Sequence, residues 1–366
     1  MDKNQELREK ETRLWHFLKE LDLEGALISK RSNFAWFTGG GDNHMFLASE
    51  LGAASLLVTE EGKYLLAHTM DGDRIMTEEI PGQGVEVRAH TWFEGRQKTL
   101  EELTKGRRIG CDIPTPGLEF IDRSWREIIF PLTEPELERA RGVGRLADEA
   151  MSQVCHAVRP EDTEMKVAGM LAKAYIEAGM PADVLLVGSD ERLYKYRHCL
   201  PTDKPIEKLL LVHVAGQKCG LHGNVTRMVH FGSVPAQLKD RHRAVSYVHS
   251  VILANLKPGE CFVDLFDKIK AAYAESGYTD EWRGHFQGDV AGYEACEPYL
   301  LVDPRAVIQV NQTYDWLPTV PGTKSEELSL LTEEGADLIS LGSDWPTLSF
   351  TIGARTFKTP DILERL

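Results

Sequence analysis

Leu7, Leu14, Phe17, Leu18 and Leu21 share one face at helical spacing and predict an amphipathic helix over residues 6–22. Four short apolar runs then read as strands: residues 26–29, 34–37, 55–58 and 64–67. Glu60-Glu61-Gly62-Lys63 supplies the turn between the last two. Residues 85–91 and 108–112 are further strand candidates, and 118–129 reads as helix after Pro114-Thr115-Pro116-Gly117. These elements form a mixed α/β domain over residues 1–132. A long period begins after Thr133, an N-cap candidate, with Leu137, Ala140, Val143, Ala147, Ala150 and Val154 on one face. The second domain is therefore placed at 133–366.

That second domain repeats itself. Residues 156–179 and 254–277 align without a gap at a constant offset of 98 residues. Pro160, Ala174, Tyr175, Glu177 and Gly179 pair with Pro258, Ala272, Tyr273, Glu275 and Gly277. Each copy reads as a helix end, a basic-Pro turn and an amphipathic helix stopped by Gly. A duplicated αα-ββ half-domain is the expected architecture, and the fold class is α+β overall.

Composition narrows the function. The chain has 366 residues, enough for two domains, with 42% hydrophobic and 27% charged residues and a formal net charge of −15. So acidic a chain lacks the basic footprint of a general nucleic-acid binder. No apolar window is long enough to span a membrane, and the charged start Met-Asp-Lys-Asn-Gln-Glu carries no apolar export signal. The six cysteines (111, 155, 199, 219, 261, 296) contain no Cys-x-x-Cys pair, so reduced thiols and a cytoplasmic location are expected. Cys219/His222 and Cys155/His156 lack partner pairs for a structural zinc. Cys296 lacks a paired base that would mark it as a nucleophile.

Four segments carry candidate chemistry. They are residues 196–203 around His198, 208–230 with His213, Asn224 and Thr226-Arg227, Gly284-His285-Phe286-Gln287-Gly288, and 322–327 ending in Glu326-Glu327. Residues 209–212 and 225–229 read as the two strands of a hairpin, with Gly216 and Gly220 at its turn or a bulge. Strand alternation sends Glu326 and Glu327 to opposite faces. A buried Glu326 should have a raised pKa unless a His or Arg pairs with it.

The order and spacing of these segments resemble the pita-bread family of aminopeptidase P, prolidase, creatinase and methionine aminopeptidase. The resemblance spans nearly the whole chain and implies a creatinase-like N-terminal domain, a pita-bread C-terminal domain and a homodimer. In that family two metal ions are held by Asp, Asp, His, Glu and Glu. Carried onto this chain, those places are His213, Asn224, His285, Leu317 and Glu326; His285 and Glu326 alone keep the family's residue type. The family's second His is also missing, since Gly292 stands seven residues after His285 and a Glu-Pro follows at Glu297-Pro298. Three negative charges are thereby lost from a dinuclear site. No metal is therefore expected; if one divalent ion (Mn, Fe, Co or Zn) binds, His213, His285 and Glu326 would hold it.

The resemblance makes His198, His285 and Glu326 the catalytic candidates, with imidazole suited to proton transfer near neutral pH. Arg227, Asn224, His213, Tyr293 and Trp316 are the candidate substrate contacts, Arg227 for a substrate carboxylate. In the family the stretch matching Arg31 to Gly41 helps cover an active site, commonly that of a dimer partner. Three functions stay open: a metal-free hydrolase of a C–N bond in a small molecule or short peptide, for which creatinase is the family precedent; a catalytically silent binding module; and a single-metal Xaa-Pro-type metallopeptidase.

Overall fold

The structure is a computed structural model that describes residues 2–121, 125–297 and 300–365. It divides into two compact units, Met1–Glu136 with Lys218–Leu221, and Leu137–Gln217 with His222–Leu366. No described helix is long and apolar enough to cross a membrane.

In the first unit, helix Lys3–Glu20 is closed at its start by a capping box between Asp2 and Gln5, and it buries Leu14, Phe17 and Leu18. The sheet holds β1 (Gly25–Lys30), β2 (Leu51–Thr59), β3 (Gly62–His68), β4 (Val85–His90), β5 (Ile109–Cys111) and β6 (Glu119–Phe120) in the order β4-β3-β2-β1-β5-β6. Two sequence expectations fail here. Residues 34–37 lie in a helix, Arg31–Thr38, whose eight residues are all buried. A run apolar on every face shows neither period, and Gly39 ends it in the left-handed region at φ 67°. The helix expected over 118–129 is a helix only at Arg126–Ile129, because Glu119–Phe120 takes the open edge beside β5; residues 122–124 lie outside the described part.

The second unit bears out the repeat. Helices Glu134–Ala157 and Glu164–Glu177 form the first pair, Ala236–Asn255 and Phe262–Glu275 the second. Glu164–Glu177 and Phe262–Glu275 coincide at the same offset the sequence shows. Extended Thr163 and Cys261 precede them. Gly179 (φ 67°) and Gly277 (φ 85°) follow them, where Met180 and Tyr278 donate their backbone N–H to Tyr175 and Tyr273. Such a stop needs a residue free to adopt positive φ, so the repeated glycines are structural.

Strands β7 (Ala182–Ser189), β8 (Leu209–Lys218), β9 (Leu221–Phe231), β10 (Gly288–Val290), β11 (Gln312–Trp316), β12 (Thr319–Val320), β13 (Thr323–Lys324), β14 (Glu327–Thr332), β15 (Gly335–Leu338), β16 (Thr347–Ile352), β17 (Arg355–Pro360) and β18 (Leu363–Arg365) complete the unit. The main sheet runs β10-β11-β14-β9-β8-β7, and β12-β13 and β16-β17 are separate hairpins. The two halves of the main sheet join where Val225 of β9 faces Glu327 of β14. The β8–β9 turn is made by Cys219 and Gly220, both at positive φ. Gly216 lies inside β8 instead, opposite the bulge between Ala182 and Val184 of β7, where a Cβ would stand 2.6 Å from the Tyr175 ring.

Candidate active site

Period-two alternation along β9 puts Asn224 and Thr226 on one face and Val225 and Arg227 on the other. Glu326 and Glu327 split in the same way. On the first face His213 Nδ1, from β8, lies 2.9 Å from Glu326 Oε2. Thr226 donates its hydroxyl to the same carboxylate, and Lys324 ion-pairs with it from the β12–β13 hairpin. Burial works against the Glu326 carboxylate, but His213 and Lys324 hold its pKa well below the usual range. Burial pushes His213 down, so we take it as a neutral imidazole donating Nδ1–H, with Lys324 supplying the positive charge.

Asn224 donates to Asp315 Oδ2 (2.9 Å) and to the Ala295 carbonyl (2.8 Å). Burial and then the Glu326 charge push Asp315 well above the usual carboxylate range. Asn224 Oδ1 and Asp315 Oδ1 are both buried without a hydrogen-bond partner. Leu317, where a family glutamate is expected, is buried and apolar. The carboxyl group at this end of the site comes instead from Asp315, two residues back along the strand.

Two imidazoles stand at the more open side. His198 is exposed and His285 partly exposed, and their Nε2 atoms are 3.0 Å apart. His285 Nδ1 faces the Phe286 carbonyl and can only donate to it, which leaves Nε2 of His285 as acceptor from His198. Burial, then the Lys324 charge, lowers His285 to about 4. His198 is lowered by burial, Lys324 and His213. Both rings are thus neutral at pH 7, and neutral imidazole can accept a proton.

Three expected substrate contacts are corrected by burial. Arg227 is 1% exposed and spends its guanidinium on Asp148 (2.6 Å), Glu327, the Ser340 carbonyl (2.9 Å) and the Thr226 carbonyl (2.9 Å), with Trp345 5.1 Å away. These carboxylates outweigh burial and raise its pKa further, and its one unpartnered donor, Nε, is buried out of reach of a substrate carboxylate. Trp316 is 0% exposed and stacked on Tyr314, and Tyr293 is 1% exposed. Cys296 is pushed up to about 12 by burial and the nearby carboxylates, so it stays a thiol.

Residues 138–332 match the family model described as metallopeptidase family M24. The chain belongs to that family. The family is one of metallopeptidases, and the match supports a hydrolase acting on peptide bonds. The chain is 21% identical over 344 residues, 88% of its length and 95% of the relative's, to the uncharacterized peptidase YqhT of Bacillus subtilis (strain 168). Among solved structures it is similar to the Xaa-Pro dipeptidase from Bacillus anthracis (TM-score 0.78, 17% identity, 98% and 100% of the two chains). It is also similar to the X-Pro aminopeptidase from Thermotoga maritima MSB8 (0.75, 19%, 90% and 97%). A third match is the N-terminal domain of FACT complex subunit SPT16 from chickpea (0.68, 10%, 92% and 97%). At these identities the structures speak for fold alone.

Lys324 and Asp315 are the site residues that sequence reasoning passed over. Each had a signal: Lys324 stands two residues before Glu326, and Asp315 two before Leu317, so period two puts each on the face of its neighbour.

Proposed function

We propose that this M24 chain hydrolyses a C–N bond of a short peptide or small amide without a dinuclear metal centre. The observation that carries the reading is the state of Glu326. Its carboxylate is already engaged by the Lys324 ammonium, His213 and Thr226. Two divalent ions need several carboxylates to balance them. Here Asn224 and Leu317 contribute no charge, and burial beside Glu326 works against a charge on Asp315. Among the described residues no three His, Cys, Asp or Glu side chains gather as a metal-holding group. The donor set does not fit the two-metal centre, and the trio His213, His285 and Glu326 is divided, with His285 turned to His198.

The His198–His285 pair supplies the proton chemistry instead. A neutral imidazole takes a proton from water as the oxygen attacks the substrate carbonyl. His198, the more exposed ring, would take that proton and return it to the departing amine nitrogen, while its Nε2–H stays bonded to His285 Nε2 at 3.0 Å and holds the ring in place. The products are an acid and an amine, with one water consumed. Lys324, paired with Glu326 and acting on both imidazoles, is the positive charge available to stabilise an oxyanion that develops beside them.

The test is a screen of short peptides and small amides with metal-analysed, chelator-treated protein. Chelator-resistant turnover is expected, reduced at least ~100-fold in both His198→Ala and His285→Ala. The acid limb of its pH profile should fall near pH 4 rather than near 6.5. Loss of turnover on chelation with recovery on adding Mn, Fe, Co or Zn would replace this reading with a metallopeptidase. The charge-neutral pairing of Glu326 with Lys324 also favours a binding module, which saturable binding without turnover would reveal.

A further inference from the structure

We propose that the chain carries a second ligand site, an oxyanion pocket in the first unit built by Arg96, His68, His90, Ser29 and Ser55. These side chains line one cavity of about 190 Å³, closed on its other side by residues 51–54 and Leu66. At ~30 Å³ per water that is room for about six waters. It suits a phosphate or a small carboxylate and falls below the ~300 Å³ at which drug-sized pockets begin.

The lining is polar where a core would be apolar. Ser29 and Ser55 are each 2% exposed, with hydroxyls 2.8 Å apart. Arg96, at the start of helix Gln97–Thr104, reaches both hydroxyls and so holds a guanidinium at the cavity wall. The rings of His68 and His90 pack 4.5 Å apart at the end of the adjacent parallel strands β3 and β4. Nδ1 of each is buried and has no hydrogen-bond partner. The hydroxyls and the guanidinium satisfy one another, but the two buried ring nitrogens beside the cavity have no partner, and buried polar atoms are rarely left so.

The charge balance points the same way. Asp112, the carboxylate whose charge acts on Arg96, accepts hydrogen bonds from the backbone N–H groups of Ser29 (2.8 Å) and Lys30 (2.9 Å) and from the Asn33 amide (3.0 Å) rather than from the guanidinium. His90 is held down by burial and then by His68 and Arg96, the signature of positive groups crowded together. A bound oxyanion would accept from Arg96 in the forked manner that guanidinium favours, and from the imidazoles and hydroxyls beside it. No peptide-hydrolysing residue named above belongs to this unit, so the inference is independent of the proposed activity.

The test is calorimetric titration of the full chain, at low ionic strength, with inorganic phosphate and separately with acetate, alongside nitrogen-15 spectra of the His68 and His90 rings. Saturable binding with shifts of both rings is expected. Affinity should fall at least about tenfold in Arg96→Gln and partly recover in Arg96→Lys. Binding of phosphate alone would assign a tetrahedral anion, and of acetate alone a carboxylate. If Arg96→Gln does not fold, the wild-type ring shifts and the Arg96→Lys titration decide. No binding of either anion at millimolar concentration, or undiminished binding in a folded Arg96→Gln, overturns the proposal.

Discussion

His249 offers a quantitative check on the buried interior behind Glu326. Its ring is 0% exposed, its Nδ1 is 2.9 Å from Ser325 Oγ, and its Nε2 has no partner. Burial lowers its pKa from 6.5 to about 3. The sign follows from linkage: the unfolded chain binds a proton below pH 6.5 and the folded chain does not. Stability from this group is therefore full above pH 6.5 and is lost as pH falls toward 3. With those two values, going from pH 7 to pH 5 removes about 2 kcal/mol. His213, His242 and His285 are lowered too, so the wild type loses more than this. The His249→Asn variant, which keeps an amide near Ser325, isolates the single contribution. Urea unfolding followed by tryptophan fluorescence at both pH values should show the variant losing about 2 kcal/mol less than the wild type. Equal losses in the two proteins would refute the assignment of His249 as a buried neutral imidazole.

Two further outcomes test the packing around the site. Arg227→Met should lower stability by about 3–5 kcal/mol in urea unfolding, because Asp148 and Glu327 would be left buried without their cation; a loss below ~1 kcal/mol would mean that Arg227 is not the structural centre of that group. Gly216→Ala should cost about 1–3 kcal/mol, since its Cβ would lie 2.6 Å from the fully buried Tyr175 ring, and an unchanged midpoint would show that helix Glu164–Glu177 can shift away from β8.

Much of the second unit was legible because its signals are local. Helical period, an extended residue before each helix and a positive-φ glycine after it act within a few residues, so the offset of 98 located both Glu164–Glu177 and Phe262–Glu275. The first unit was less legible where local signals were silent: Arg31–Thr38 is buried all round, its polar residues included, and so shows no period. The site residues themselves could be marked one by one, but their partners could not. His213 meets Glu326 across 113 positions of sequence only because β8, β9 and β14 lie side by side, with the last two joined at Val225 and Glu327.

What the sequence by itself determined was the duplicated fold; that acidic donors are lost at 213, 224 and 317 is what its resemblance to the family implies. What the tertiary structure alone decided was the charge state of the site. A lysine two residues from a glutamate is commonly a solvated surface charge, and Arg227 beside the site reads in sequence as a substrate anchor. Folding buries Lys324 against Glu326 and seals Arg227 between Asp148 and Glu327. Burial removes the water that would otherwise screen each charge, so desolvation and the few partners brought up by packing between distant segments together set its protonation and what it can bind.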